Sequence, residues 1–340
     1  MTIRKAVIPV SGFGTRLLPT TRALPKEMLP VGRYPTIQYV VEEMISAGVR
    51  DILFITSRSK TIIENQFDNQ TELIAYLTQV GQLDRLGTFD YQARGISFFY
   101  TRQQGPPGIL KPQGTGAAIA AAETFVGAEP FIVAYGDTII YSELDPNYIT
   151  RMVNSHIARQ SVCTVGVRKV AREQIHRYGV VKPRSGSPDP RLGPAPPHPS
   201  RSEAGWGEGQ GVRGGGKDGE GSDVEISDIV EKPSAADAPS SLAVNARYIF
   251  GPEIFEAIRK VPLTPDGEIP VTPAIQHLIH QGYPVRAVQL AASEKRYDLG
   301  NHEDYYRAFI DFAIRDADYG KAIKSYIKAC VETFQIPSGT

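Results

Sequence analysis

The chain is 340 residues long and 41% hydrophobic, with 37 Lys and Arg against 37 Asp and Glu, so its formal net charge is zero. That balance supplies no overall field for nucleic acid or an anionic membrane surface. The two cysteines, Cys163 and Cys330, are too few for a disulfide framework or a thiolate metal site, and no apolar run approaches the ~20 residues of a membrane span. The N-terminal apolar run is too short and its surroundings too polar for a signal peptide. The expected setting is therefore the reducing cytoplasm, with no nucleic-acid or membrane partner.

In chain order, Ala6 to Val10 reads as a buried first strand leading into Ser11-Gly12-Phe13-Gly14-Thr15-Arg16. The two glycines let the backbone approach phosphate oxygens, and their N–H groups can form an anion-binding nest. Arg16, together with Lys26 in Pro25-Lys26-Glu27-Met28-Leu29-Pro30, adds the positive charge a nucleotide tail requires. Two better-known phosphate motifs do not fit. A dinucleotide fingerprint needs a third glycine where Leu17 stands and an acidic residue where Thr56 and Ser57 stand. A Walker loop needs Gly-Lys before Ser or Thr, whereas Gly216-Lys217 precedes Asp218.

Ile37, Val40, Val41, Met44 and Ile45 recur at helical spacing, Gly48 can end that helix, and Asp51 to Thr56 reads as a second buried strand. Helices are expected at Lys60 to Phe67, Glu72 to Val80 and Ala117 to Phe125, and strands at Ile96 to Tyr100 and Phe131 to Tyr135. Gly136-Asp137 follows the last of these, at the carboxyl edge where ligands bind in open α/β sheets. Shorter strands follow at Val162 to Val167, Gly179 to Lys182, Ile226 to Val230 and Ala243 to Phe250, with helices at Pro252 to Arg259 and Pro273 to Gln281. Between them, Arg184 to Asp223 exceeds the ~25–30% Gly plus Pro associated with disorder and is expected to be a disordered surface insertion. His302 to Phe334 reads as two amphipathic helices.

The expected fold is α/β, a doubly wound mixed and mainly parallel sheet of Rossmann-like type, with a small, partly antiparallel β region in the second half and C-terminal helices. One domain over 1–340 would comprise a nucleotide-binding half at 1–160, a second half at 161–300 interrupted by the insertion 184–223, and C-terminal helices at 301–340.

The combination G-x-G-T-R with P-K-E-M-L-P resembles the signature of sugar-nucleotide pyrophosphorylases, which join a nucleoside triphosphate to a sugar 1-phosphate. Beyond the insertion, nearly the whole chain is similar to the bacterial UTP:glucose-1-phosphate uridylyltransferases. Further landmarks are Ile63-Glu64-Asn65-Gln66-Phe67-Asp68, Tyr178-Gly179-Val180-Val181, Glu231-Lys232-Pro233, Gly267-Glu268-Ile269 and Tyr297-Asp298-Leu299-Gly300-Asn301.

The resemblance implies that UTP and glucose 1-phosphate are the substrates and that Asp137 and Asp298 hold Mg2+, a hard ion suited to carboxylate oxygens. It implies nucleotide contacts from Gly12, Gly14, Thr15, Gln103, Gln104 and Gly114, and sugar contacts from Gly179 and Glu231. Lys232 would pair with the sugar phosphate, and Arg16 and Lys26 would neutralise the reacting phosphates. The family tendency and the C-terminal helices favour a homo-oligomer. One departure concerns the base: the spacing from Gln103 or Gln104 to Gly114 is longer than the uridylyltransferase pattern, and Gln113-Gly114-Thr115-Gly116 is similar to the loop of other pyrophosphorylases. Uracil, thymine and purine therefore stay open, as do the sugar and a non-catalytic sugar-nucleotide-binding role.

Overall fold

Side-chain alternation along the first strands decides the layering. In β1 (Lys5–Pro9), Ala6 and Ile8 join one buried cluster and Val7 joins another. A computed structural model describes residues 2–68, 70–83, 85, 90–103, 113–184 and 222–333. A short hairpin of β2 (Pro30–Val31) and β3 (Tyr34–Pro35) leads into α1 (Thr36–Ser46). The apolar stripe of α1, with Ile37, Val40, Val41 and Met44, packs on the Ala6–Ile8 face. β4 (Asp51–Thr56) alternates in the same way, Ile52 and Phe54 toward α1 and Leu53 and Ile55 away from it.

α2 (Thr61–Phe67) and α3 (Thr71–Gln79) precede β5 (Ser97–Arg102). The expected Ala-rich helix is divided into α4 (Gly114–Ala120) and α5 (Glu123–Val126); Ala118, Ile119 and Val126 from these helices, with Ala122 between them, cover the opposite face of the sheet. After β6 (Phe131–Ala134) come β7 (Thr138–Tyr141) and α6 (Tyr148–Ala158), which is capped by Asn147 accepting from the Thr150 N–H. The second half contributes β8 (Cys163–Lys169), β9 (Gly179–Pro183), β10 (Asp223–Glu231), β11 (Leu242–Phe250), α7 (Glu253–Arg259), α8 (Val271–His280), β12 (Val285–Gln289) and β13 (Lys295–Asp298). The chain then forms α9 (His302–Arg315) and α10 (Gly320–Thr333).

Nine strands make one sheet in the order β5-β4-β1-β6-β11-β8-β12-β10-β9, with helices on both faces. Of the mixed, mainly parallel sheet expected, the parallel pairings are those within β5-β4-β1-β6 and of β8 with β12. The other pairings are antiparallel, so "mainly parallel" needs correcting. The reason is connectivity: parallel neighbours require a crossover of a dozen or more residues, whereas β9, β10 and β11 reach their places with no crossover helix among the described residues. Almost all of the insertion expected at 184–223 lies outside the described residues. β7 and β13 leave the main sheet and form a separate antiparallel ribbon, covered by α9 through Tyr297, Leu299, Ala308 and Phe312.

Candidate active site

The site is built where β1 and β6 end side by side. Beyond β1, Gly14 takes a left-handed backbone (φ 68°) that suits glycine, and its carbonyl accepts from Thr21 Oγ1 at 2.8 Å and from the Leu17 N–H at 2.9 Å. A single 3-10 turn, Thr15–Leu17, follows the loop, so Arg16 and Lys26 supply its positive field rather than a long helix dipole. Lys26 opens a later 3-10 turn, Lys26–Met28, and donates from Nζ to Asp137 Oδ2 at 2.5 Å.

Asp137 can occupy that place because Gly136 has no side chain. A Cβ there would lie 2.6 Å from Val10 Cγ1 and 3.0 Å from Ile37 Cδ1. Burial works to raise the Asp137 carboxyl, but the Lys26 ammonium and the Arg296 guanidinium outweigh it and hold the group at about 2. Burial likewise works against the Lys26 ammonium, and Asp137 and Glu27 overcome it, keeping it above the ordinary lysine range. Both partners are therefore ionised. Behind them Lys60 donates to both oxygens of Glu27, at 2.9 and 2.8 Å; burial pushes that carboxyl up and that ammonium down.

The ribbon delivers the second carboxylate. Its register sets Asp298 opposite Thr138, and the Leu299 N–H donates to the Asp137 carbonyl at 3.0 Å, so the two aspartates sit at one end of the ribbon. Arg16 meets them from the glycine loop: a Cβ on Gly300 would lie 2.7 Å from Arg16 Nη2 and 3.1 Å from Asp298 Oδ1. Among the described residues no group of three or more His, Cys, Asp or Glu could hold a metal unaided. Two carboxylates lining one cavity nevertheless fit a hard divalent cation that takes its remaining oxygens from substrate and water.

Two cavities meet at Asp137. The smaller, about 180 Å3, is lined by Ser11, Gly12, Lys26, Gln103 and Gly114. The larger, about 260 Å3, is lined by Arg16, Tyr178, Gly179, Glu231, Arg296 and Asp298. Asp137, Thr115 and Tyr135 line both. Gln103 is held at both ends of its amide, accepting from Ser11 Oγ at 2.5 Å and donating to the Gly114 carbonyl at 3.3 Å. Gly114 and Gly116 press on the loop before α8, where a Cβ on either would approach the Ile269 carbonyl to 2.8 Å. The Gly-Thr-Gly sequence thus has a packing reason of its own.

Most nominated residues therefore converge: Gly12, Lys26, Gln103 and Gly114 on one cavity, Arg16, Gly179, Glu231 and Asp298 on the other, and Asp137 on both. Gly14 shapes the loop, while the exposed Thr15 lines neither cavity. Lys232 also lines neither; its side chain is 62% exposed, with Nζ 3.6 Å from Glu231 Oε1, and its φ is 44°. Gln104 lies outside the described residues. Sequence reasoning missed Tyr178, Arg296 and Gly300, although Tyr178 and Gly300 stand inside motifs already noted.

A family model described as nucleotidyl transferase matches residues 5–192 and 211–313. The chain is 35% identical over 329 residues to UTP–glucose-1-phosphate uridylyltransferase 1 of Staphylococcus saprophyticus, covering 97% of this chain and 99% of that protein. Among solved structures, a UTP-bound UGPase from Acinetobacter baumannii superposes with a TM-score of 0.78 at 29% identity, covering 96% of this chain and 99% of that one. A UDP-glucose pyrophosphorylase complexed with UDP-glucose gives a TM-score of 0.70 at 30% identity, covering 93% and 100%.

Proposed function

The chain belongs to the nucleotidyl transferase family, and from that premise we propose that it is a UTP:glucose-1-phosphate uridylyltransferase, making UDP-glucose and pyrophosphate from UTP and glucose 1-phosphate. The observation that carries this reading is the position of Asp137, salt-bridged to Lys26 and shared by a cavity at the glycine loop and a cavity in the β-rich half. Two substrates bound on either side would meet at that carboxylate.

A sugar phosphate is largely dianionic at pH 7, with its second pKa near ~6, so it needs no general base. One of its oxygens attacks the α-phosphorus in line; the bond to the β-phosphate oxygen breaks, and pyrophosphate leaves with the electron pair. The protein contributes orientation and charge neutralisation. Gly12 and Gly14 open the backbone to the triphosphate, and Lys26 neutralises the α-phosphate side. Gln103, locked by Ser11 and Gly114, presents its amide to the base. Glu231 accepts from sugar hydroxyls, Gly179 lets the sugar lie against β9, and Arg16 and Lys232 bring positive charge to the phosphates, Lys232 from the rim. Asp137 and Asp298 would hold Mg2+, which supplies Lewis-acid neutralisation of phosphate charge when bound.

Two free cysteines, one of them buried, agree with a cytoplasmic enzyme, and no described helix is long and apolar enough to cross a membrane. Exposed Tyr306, Phe309 and Ile310 on α9 and Tyr326 on α10 support a homo-oligomer.

Chromatography of reactions containing glucose 1-phosphate, Mg2+ and either UTP, dTTP, ATP, GTP or CTP tests the assignment. UDP-glucose should be the dominant sugar nucleotide. Dominance of another base would refute the uridylyl assignment.

A further inference from the structure

Two guanidiniums lie over one aromatic ring at the wall of the larger cavity. Arg168 Cζ, from β8, is 5.1 Å from the centroid of Tyr178, and Arg296 Cζ, from β13, is 5.7 Å from it. Arg296 lines the cavity with a side chain only 8% exposed, and its Nη2 donates to Asp298 Oδ2 at 3.0 Å. Its Nε is buried without a hydrogen-bond partner, and so is the Nε of Arg168. Among the described residues Asp298 is the only carboxylate hydrogen-bonded to either guanidinium. Two like charges are thus gathered where Asp298 binds one of them and Asp137 lies within its field, yet each guanidinium keeps a buried Nε without a partner, an arrangement that a further anion would complete. Meanwhile Lys232, the cation nominated by sequence for the sugar phosphate, stands exposed and off the cavity wall.

We propose that Arg296 binds the phosphate of the sugar substrate, offering the guanidinium nitrogens that Asp298 leaves free, and that Tyr178 and Arg168 are positioning residues that fix it there. The planar guanidinium suits this work because it can serve a carboxylate on one edge and a phosphate oxygen on another. Lys232 then acts from the rim and Arg296 from the wall. The inference rests on the uridylyltransferase reading for the identity of the anion.

The test is calorimetric titration of glucose 1-phosphate into protein saturated with α,β-methylene-UTP and Mg2+, which binds both substrates without turnover. Arg296→Gln should weaken sugar-phosphate binding about 10- to 100-fold, the range of a lost charge-assisted hydrogen bond. Affinity for the nucleotide analogue should stay within about threefold, and Arg296→Lys should recover part of the loss. If Arg296→Gln does not melt cooperatively, Arg296→Lys carries the comparison, with weakening of about three- to tenfold expected and equal affinity overturning the proposal. Unchanged glucose 1-phosphate affinity in Arg296→Gln, with a raised Mg2+ requirement for turnover, would mean that the residue serves Asp298 alone and would also overturn it. Wild-type protein that binds the analogue but no glucose 1-phosphate would overturn the uridylyltransferase reading together with the inference. Binding by wild type and variant alike overturns only the inference.

Discussion

Lys26 and Asp137 form the contact on which the proposed chemistry turns, because each holds the other ionised against its own burial. Asp137 sits at about 2, below the ~3.9 of an unfolded aspartate, so its contribution to stability is present above that unfolded value and is lost as pH falls through 2. Lys26 is held above the ~10.4 of an unfolded lysine, so its contribution is complete below that value and is lost only as pH rises beyond it through the folded one. Between about pH 5 and 9 the pair does not titrate. The acid limb of kcat/KM for glucose 1-phosphate should accordingly fall near ~6, where the substrate phosphate takes up its second proton. A limb that shifts in a Lys26→Arg variant would contradict this. Lys26→Ala and Asp137→Asn should each lose about 10²–10³ in kcat while remaining folded, as expected for one preorganised charge.

Arg247 shows how elements hold those residues in place. It is fully buried in β11, donates to Glu43 of α1 with Nη2 to Oε2 at 2.6 Å, and donates to the carbonyl of Thr138 at 2.8 Å, one residue after Asp137. Burial pushes the Glu43 carboxyl up, and Arg247 opposes that. Arg247→Met should destabilise the protein by about 3–5 kcal/mol in urea unfolding, because it strands Glu43, and Glu43→Leu added to it should recover part of the loss. A loss under about 1 kcal/mol in the single variant would deny the pair that role.

The helices and strands with strong apolar periodicity were legible from sequence, α1, β1 and β4 among them. The ribbon was not: β7 has four residues and β13, Lys-Arg-Tyr-Asp, is mostly polar, so neither carries an alternation long enough to announce a strand. β12, Val-Arg-Ala-Val-Gln, alternates too briefly to stand out. α6 could have been found, since Tyr148, Ile149, Met152 and Val153 recur at helical spacing behind an Asn147 cap. Gly116→Ala tests a different contact between elements, the seat of α4 against Ile269. With a Cβ 2.8 Å from that carbonyl, it should cost about 1–3 kcal/mol. An unchanged urea midpoint would show that the loop yields without strain.

At the scale of the molecule, the site exists because a parallel half and a largely antiparallel half share one sheet, with β6 and β11 adjacent at the seam. Asp137 leaves the sheet from β6 at that seam, Glu231 and Gly179 come from β10 and β9, the latter also pairing with β11, and Asp298 returns on the ribbon. Motif residues pointed from sequence to the proposed chemistry, but their meeting depends on long-range pairing that no local pattern encodes. Arg296 illustrates the limit: a lone arginine before Tyr-Asp carries no signal until the ribbon brings it to the cavity wall. Among the described residues no group of three or more His, Cys, Asp or Glu could hold a metal, so the Mg2+ proposed at Asp137 and Asp298 would arrive with substrate: chelation by EDTA should abolish turnover and added Mg2+ should restore it, without a change in the melting temperature of the free protein. A melting temperature that drops on chelation would instead mark a structural metal.

The most direct measurement is pyrophosphate release from UTP and glucose 1-phosphate by the wild-type protein and by Asp137→Asn, side by side with their melting curves. Rapid UTP- and sugar-phosphate-dependent release by the wild type, reduced about 10²–10³-fold in a variant that melts normally, is the predicted result. No release from folded wild-type protein, or undiminished release from the variant, would contradict a uridylyl transfer centred on Asp137.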